Sequence, residues 1–318
     1  MLNRTSITWS WLTLIRLPNL LTVPGDVLAG SVLVAASEGF SRVTLLAALV
    51  TSFAYYAAGL IMNDLVDREI DQRERPGRPI ASGAISTRSA RAVLFILYAI
   101  ALSAGAFGGP MMLGVAVALG CMILVYNRYA RRVRELGALV MGMCRALNVI
   151  LGMVAVGGID VWSGKLWVVP AWWLAYIASL TWLATREVEA RRYGPDRWLP
   201  MWICFAGGIH TFMAAPVWNS EGNTRAMFCL VFAAMLAFQA AIRLGTNPVV
   251  QLPSGRTRTF DLTTIHPPAF GLLISALIPM QAAVIVGHAE SAIGLLIGFM
   301  LLIAWPLNRW LAKSFAPS

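Results

Sequence analysis

The chain has 318 residues, of which 58% are hydrophobic and only 13% charged, against roughly a quarter charged in an average soluble domain. Its apolar residues come in blocks of about twenty, enough to cross a hydrocarbon core of roughly 30 Å as a helix, and this excludes a water-soluble globular fold. The net charge of +10 lies between alternate apolar blocks in the positive-inside manner. No stripe of basic residues interleaved with aromatics is present, so no nucleic acid is expected as a partner.

Taken in chain order, the predicted spans are 17–36, 43–62, 90–107, 111–126, 136–156, 166–184, 198–217, 225–243, 269–287 and 292–311. They predict an all-α, polytopic transmembrane bundle of nine to ten helices, forming a single integral membrane domain over 1–318. Residues 1–10 hold no short apolar stretch ending in a cleavage site, so the first apolar run reads as a true span. Loops 67–91, 127–135, 186–197 and 243–261 carry most of the arginines and are expected in the cytoplasm, with both termini. The multi-pass chain is therefore expected in the cell membrane, among membrane lipid, with its active site opening to the cytoplasmic side. Arg16-Leu-Pro-Asn19 opens the first span, Arg145-Ala-Leu-Asn148 lies in the fifth, and acidic loops follow the second and sixth. Four helices separate each pair, which predicts a parallel repeat of two four-helix units around a central cavity. Cys121, Cys144, Cys204 and Cys229 lie singly in apolar blocks without ligand spacing and read as small packing residues. His210, His266 and His288 lack ligand spacing too.

The second span ends in Asn63-Asp64-x-x-Asp67-x-x-x-Asp71. Helical spacing puts Asn63, Asp67 and Asp71 at i, i+4 and i+8, with Asp64 three before Asp67, in one acidic stripe. Like charges so spaced cost an isolated helix roughly 0.2–0.5 kcal/mol a pair, more near a membrane, and a bound cation removes the penalty. Mg²⁺ takes one or two protein carboxylates while phosphates and water fill its other positions, so the stripe suits a metal-bridged diphosphate. The plainer alternative is a solvated helix end with Glu69–Arg73, Asp71–Arg75 and Glu74–Arg78 as i, i+4 salt bridges. Next comes Arg75-Pro76-x-Arg78-Pro79-Ile80-Ala81-Ser82-Gly83, a rigid turn setting arginines beside the carboxylates. Arg78 can neutralise phosphate oxygen.

At these residues the chain resembles the UbiA prenyltransferase superfamily, whose first motif reads NDxxDxxxDxxxxRPxRP. Every named position is present between Asn63 and Pro79. The resemblance implies an all-α fold with a lipid-accessible cavity. It also implies Mg²⁺-dependent transfer of a polyprenyl group from an isoprenoid diphosphate to an aromatic or other lipophilic acceptor. Asp64, Asp67 and Asp71 would then be catalytic metal ligands, with Asn63 beside them.

The family's second motif, at the inner end of the sixth helix, has aspartates about four residues apart. Here the stretch is Thr185-Arg186-Glu187-Val188-Glu189-Ala190-Arg191. Glu187 matches the first carboxylate in type and is expected to complete the metal site, but Arg191 stands where the next would be. That departure supports a rival reading, a catalytically reduced relative acting as carrier or assembly component for a hydrophobic metabolite. After Tyr126, Arg131 and Arg132 stand where the family has Lys-Arg, so Arg131 is expected on the diphosphate. Tyr126 either lines the cavity or anchors the membrane interface. Asn19, Asp26, Arg145 and Asn148 lie in or beside apolar helices, where polar groups are costly and mark sites. Asn19, Arg145 and Asn148 are expected on substrate, with an Asp26–Arg145 structural lock as the alternative.

Overall fold

The computed structural model describes residues 6–20, 22–34, 41–157, 167–188, 193–214, 220–245, 249–251, 257–259, 266–288 and 292–314. Their helices, in chain order, are α1 Ile7–Leu14, α2 Leu17–Leu20, α3 Val23–Val34, α4 Arg42–Val66, α5 Arg68–Glu74, α6 Thr87–Phe107 and α7 Pro110–Arg128. There follow α8 Arg134–Gly157, α9 Val168–Val188, α10 Leu199–Ala214, α11 Ser220–Gly245, α12 His266–Ser275, α13 Leu277–His288 and α14 Ala292–Ser314. The ten predicted spans map onto α2 with α3, α4, α6, α7, α8, α9, α10, α11, α12 with α13, and α14. Among the described residues, seven helical stretches are long and apolar enough to cross a membrane, and the chain is a multi-pass helical membrane protein as its composition predicts. An unpredicted element is a two-stranded antiparallel hairpin, β1 Val249–Gln251 with β2 Thr257–Thr259. It lies in the arginine-rich stretch between α11 and α12.

Two predicted spans are broken, each for a local reason. Before α2, Arg16 takes a left-handed φ of 47°, which costs a side-chain-bearing residue roughly 1–2 kcal/mol. The chain then re-enters helix at α3 with Pro24 in its first turn, where a missing N–H costs nothing. Thr22 bridges the gap, its N and Oγ1 both donating to the Asn19 carbonyl at 3.0 and 2.8 Å. Between α12 and α13, Pro279 cannot donate to the Ser275 carbonyl and its ring crowds that carbonyl. The axis breaks at Ala276, and α13 is buried at every position from Leu277 to Gly287. A helix apolar on all sides is a core helix.

The main apolar cluster joins α3, α8, α9, α11 and α13. Glycines set the closest crossing: a Cβ on Gly30 of α3 would collide with the Val149 carbonyl of α8, and one on Gly152 of α8 with the Val27 carbonyl of α3. The two backbones touch through this reciprocal pair, the small-residue packing that membrane helices favour. Gly152→Ala is therefore expected to separate α3 from α8, costing roughly 1–3 kcal/mol as an overpacked core does. Folded, monodisperse yield in detergent checks it, and an unchanged yield and melting temperature would refute the contact.

Positive-inside asymmetry sets the expected orientation. Reporter fusions at Arg73 and Arg192 should read as cytoplasmic and those at Ser37 and Gly158 as external. Ser37, Gly158 and Arg192 lie outside the described residues. An external label reaching Arg73 would overturn the assignment. In that orientation the end of the bundle bearing α5 is the inner end.

Candidate active site

The acidic stripe survives a bend. α4 stops at Val66 and α5 starts at Arg68, yet the i to i+4 ladder runs on through the junction. Asp67 N donates to Asn63 O at 2.9 Å, Asp71 N to Asp67 O at 2.8 Å, and Arg75 N to Asp71 O at 2.8 Å. Asp64 and Asp71 are consequently buried on one side, at 6% and 4% exposure. The turn after α5 is pinned beneath them by Ile80 and Ile85, which pack with Leu14 and Ile61. Gly83 supplies the positive φ of 81° the turn needs.

That anchoring aims Arg78 at the carboxylates. Its Nη1 donates to Asp64 Oδ1 at 3.2 Å and to Asp71 Oδ2 at 2.7 Å. Arg131, on the turn after α7, pairs with Asp67 Oδ1 at 2.5 Å, and Asn63 Nδ2 donates to Asp67 Oδ2 at 3.2 Å. Six predicted site residues thus come together along one stripe in two groups, Arg78 with Asp64 and Asp71, and Arg131 and Asn63 with Asp67. The helix-end alternative fares differently. Among the described residues Glu69–Arg73, Asp71–Arg75 and Glu74–Arg78 form no salt bridge, and Asp71 and Arg78 pair with each other.

Among the described residues no three acidic, His or Cys side chains converge as a ready metal cage. Asp64 and Asp71 nevertheless face one cationic nitrogen, and their donors are all carboxylate oxygen. Mg²⁺ needs only one or two such carboxylates when a diphosphate supplies the rest. The residues present fit that ion.

Tyr126 is half-buried and within electrostatic range of Asp67, Arg131 and Arg16. Arg16 also lies in range of Asp64 and of Tyr56. It is exposed and, among the described residues, forms no salt bridge. Sequence reasoning used Arg16 only as a repeat marker. Its place before a Pro-broken first span was the signal that could have singled it out.

Arg145 and Asn148 lie in a second network, deeper in the bundle. Arg145 pairs with Asp26 and also donates to Thr22 Oγ1 at 2.9 Å and Thr22 O at 3.3 Å. Asp26 is fully buried and further accepts from Trp173 Nε1 at 2.8 Å, Gln281 Nε2 at 2.7 Å and Asn148 Nδ2 at 3.5 Å. The structural lock is therefore present and joins α3, α8, α9 and α13. Trp173 and Gln281, single polar atoms within apolar blocks, gave no sequence signal. Tyr56 of α4 is within range of both Arg145 and Arg16 and stands between the two networks. Asn19 is half-buried on α2, its carbonyl engaged by Thr22. Glu187 has its backbone in the last turn of α9, but its side chain lies outside the described residues, as do Glu189 and Arg191.

A family profile described as the UbiA prenyltransferase family matches residues 26–251. The chain is 29% identical over 140 residues to digeranylgeranylglyceryl phosphate synthase of Methanoregula boonei, covering 44% of this chain and 47% of that one. It is 27% identical over 237 residues to the enzyme of the same name from Ignicoccus hospitalis, covering 73% and 72%. In the first of these the chain spans about half the relative's length. Among solved structures, one concerned with digeranylgeranylglyceryl phosphate synthase in membranes superposes with a TM-score of 0.62 at 18% identity, covering 90% of this chain and 99% of that one. A UbiA homologue from Archaeoglobus fulgidus bound to GPP and Mg²⁺ superposes with a TM-score of 0.53 at 15% identity, covering 86% and 99%. These likenesses establish a shared fold.

Proposed function

Because the chain belongs to the UbiA prenyltransferase family, we propose that it transfers a polyprenyl group from an isoprenoid diphosphate to a lipophilic acceptor within the cell membrane, with Mg²⁺, at a site opening to the cytoplasm. The observation that carries this reading is the set of three carboxylates on one stripe, each met by an arginine: Asp64 and Asp71 by Arg78, and Asp67 by Arg131. Asp64, Asp67 and Asp71 would hold Mg²⁺, with Glu187 as a further ligand. The bound ion supplies positive charge that stabilises the leaving diphosphate. Arg78 and Arg131 exchange carboxylate oxygen for phosphate oxygen, which guanidinium binds equally well. Asn63 stays on Asp67 and holds its second oxygen in place. Arg16, in reach of Asp64 and Tyr126, adds a cation on the same side. Preorganised charge of this kind is the largest part of catalysis where charge develops on a leaving group.

Arg145 stays in the buried network and acts by fixing α8 against α3. Relatives named for glyceryl phosphate chemistry make a glyceryl phosphate lipid an acceptor to assay beside aromatic ones. The test is binding of a non-hydrolysable isoprenoid diphosphate analogue to the detergent-purified chain, with and without Mg²⁺. Binding that needs the metal is expected. Absence of metal-dependent binding would favour the carrier reading, which the Arg191 departure from the second acidic motif supports.

A further inference from the structure

Helices α4, α6 and α7 form a three-helix unit with a trough between α4 and α7 at one end. Away from the inner end it is tight. Tyr98 of α6 donates to the Gly120 carbonyl of α7 at 3.2 Å and stands edge-on to Tyr55 of α4, centroids 5.1 Å apart. A Cβ on Gly105 of α6 would come within 2.7 Å of the Ala116 Cβ of α7. Towards the inner end α6 follows α4 instead, setting Ala90, Val93 and Leu94 in one cluster with Ile61 and Leu65. Between the inner ends of α4 and α7 lies a wedge-shaped pocket of about 420 Å³, within the roughly 300–1,000 Å³ of small-molecule sites.

Met62 and Val66 of α4 and Leu124 and Val125 of α7 make the trough, and Asn127, Arg128 and Tyr129 make its polar end. Val66, Leu124 and Tyr129 are 43%, 45% and 63% exposed, so the trough opens sideways to lipid. Its polar end has unspent capacity. Asn127 is 3% exposed. Its Nδ2 is used on the Ile123 carbonyl at 2.9 Å, while its Oδ1 has no partner, a costly state for a buried acceptor. Arg128 is exposed and, among the described residues, forms no salt bridge.

We propose that this wedge binds one anionic glycerophospholipid of the inner leaflet. The phosphate sits on the Arg128 guanidinium, a headgroup hydroxyl donates to Asn127 Oδ1, and an acyl chain lies along Met62, Val66, Leu124 and Val125. Charge complementarity and the unpartnered acceptor select this occupant over a neutral lipid. The acidic network is a different site: Asn63 and Asp67 are each one residue on from Met62 and Val66, about 100° around α4.

The full chain is reconstituted in nanodiscs of phosphatidylcholine with a minor share of phosphatidylglycerol, and lipid retained after release into mild detergent is counted by native mass spectrometry. One phosphatidylglycerol per chain is expected, in preference to phosphatidylcholine. Arg128→Gln should lower its occupancy roughly fivefold, the worth of one basic residue at an anionic surface. Leu124→Trp, which fills the trough, should remove retained lipid of both kinds, with folding checked by melting temperature. Undiminished phosphatidylglycerol retention in Arg128→Gln, or equal retention of both lipids by the parent, overturns the proposal.

Discussion

Asp67→Asn is expected to abolish Mg²⁺-dependent binding of an isoprenoid diphosphate analogue and to lower turnover by more than roughly 100-fold, while leaving the protein folded. Loss of a group one shell out from a metal costs roughly 10–100-fold, and a direct carboxylate ligand should exceed that. Stability moves little because two small terms oppose each other. Asp67 is 20% exposed in its side chain, where an ion pair is worth roughly 0.2–1 kcal/mol. Against that loss, removing one charge relieves repulsion along the stripe by roughly 0.2–0.5 kcal/mol a pair. Calorimetric titration with and without a chelator, beside a melting curve, separates the two effects. Unchanged ligand affinity with loss of folded protein would make the Asp67–Arg131 pair a structural bridge and remove the stripe from the mechanism.

The Asp26–Arg145 pair should show the opposite profile. Asp26→Asn alone leaves the Arg145 guanidinium, only 15% exposed, without its counter-charge inside the bundle, and Arg145→Met strands a fully buried carboxylate. Each single change is expected to cost roughly 3–5 kcal/mol, whereas Asp26→Asn with Arg145→Met should recover most of it, since neither charge then remains. Melting temperatures of the four proteins in one detergent form the cycle. A single variant as stable as the parent would contradict the lock. A folded double variant that no longer binds the diphosphate analogue would return Arg145 to the phosphate role its sequence position suggested.

Much of this was legible in the sequence, and the reasons differ by residue. Apolar runs gave ten rods because hydropathy reports burial in lipid directly. The stripe from Asn63 to Asp71 was legible because i+4 spacing persists even where α4 gives way to α5 at Asp67. Two features were not. Spacing along one helix left the charge balance of the stripe open, and a bound cation was expected to relieve its repulsion. Arg78 and Arg131 already do so, from a turn folded back by Ile80 and Ile85 and from the end of α7, contacts that depend on tertiary placement. Arg145 showed the same limit: its face on α8 was predictable, but the backbone contact through Gly30 and Gly152 that brings Asp26 to it was not. Trp173 and Gln281 each add one hydrogen bond to Asp26 from within an apolar stretch, and no local pattern marks such a residue.

Arginines resting on the carboxylates give the inner mouth the character of an ion exchanger. On the proposed function, loading it would swap counter-ions: each guanidinium released by a carboxylate would meet a phosphate in the same event, and the number of satisfied charges would stay nearly constant as the ligand arrived. Free divalent cations without a diphosphate offer the displaced arginines nothing in return, so they compete poorly for the carboxylates. The protein should consequently hold its fold in a chelator. Selectivity for the metal–diphosphate complex over either component alone would then be built into the resting state.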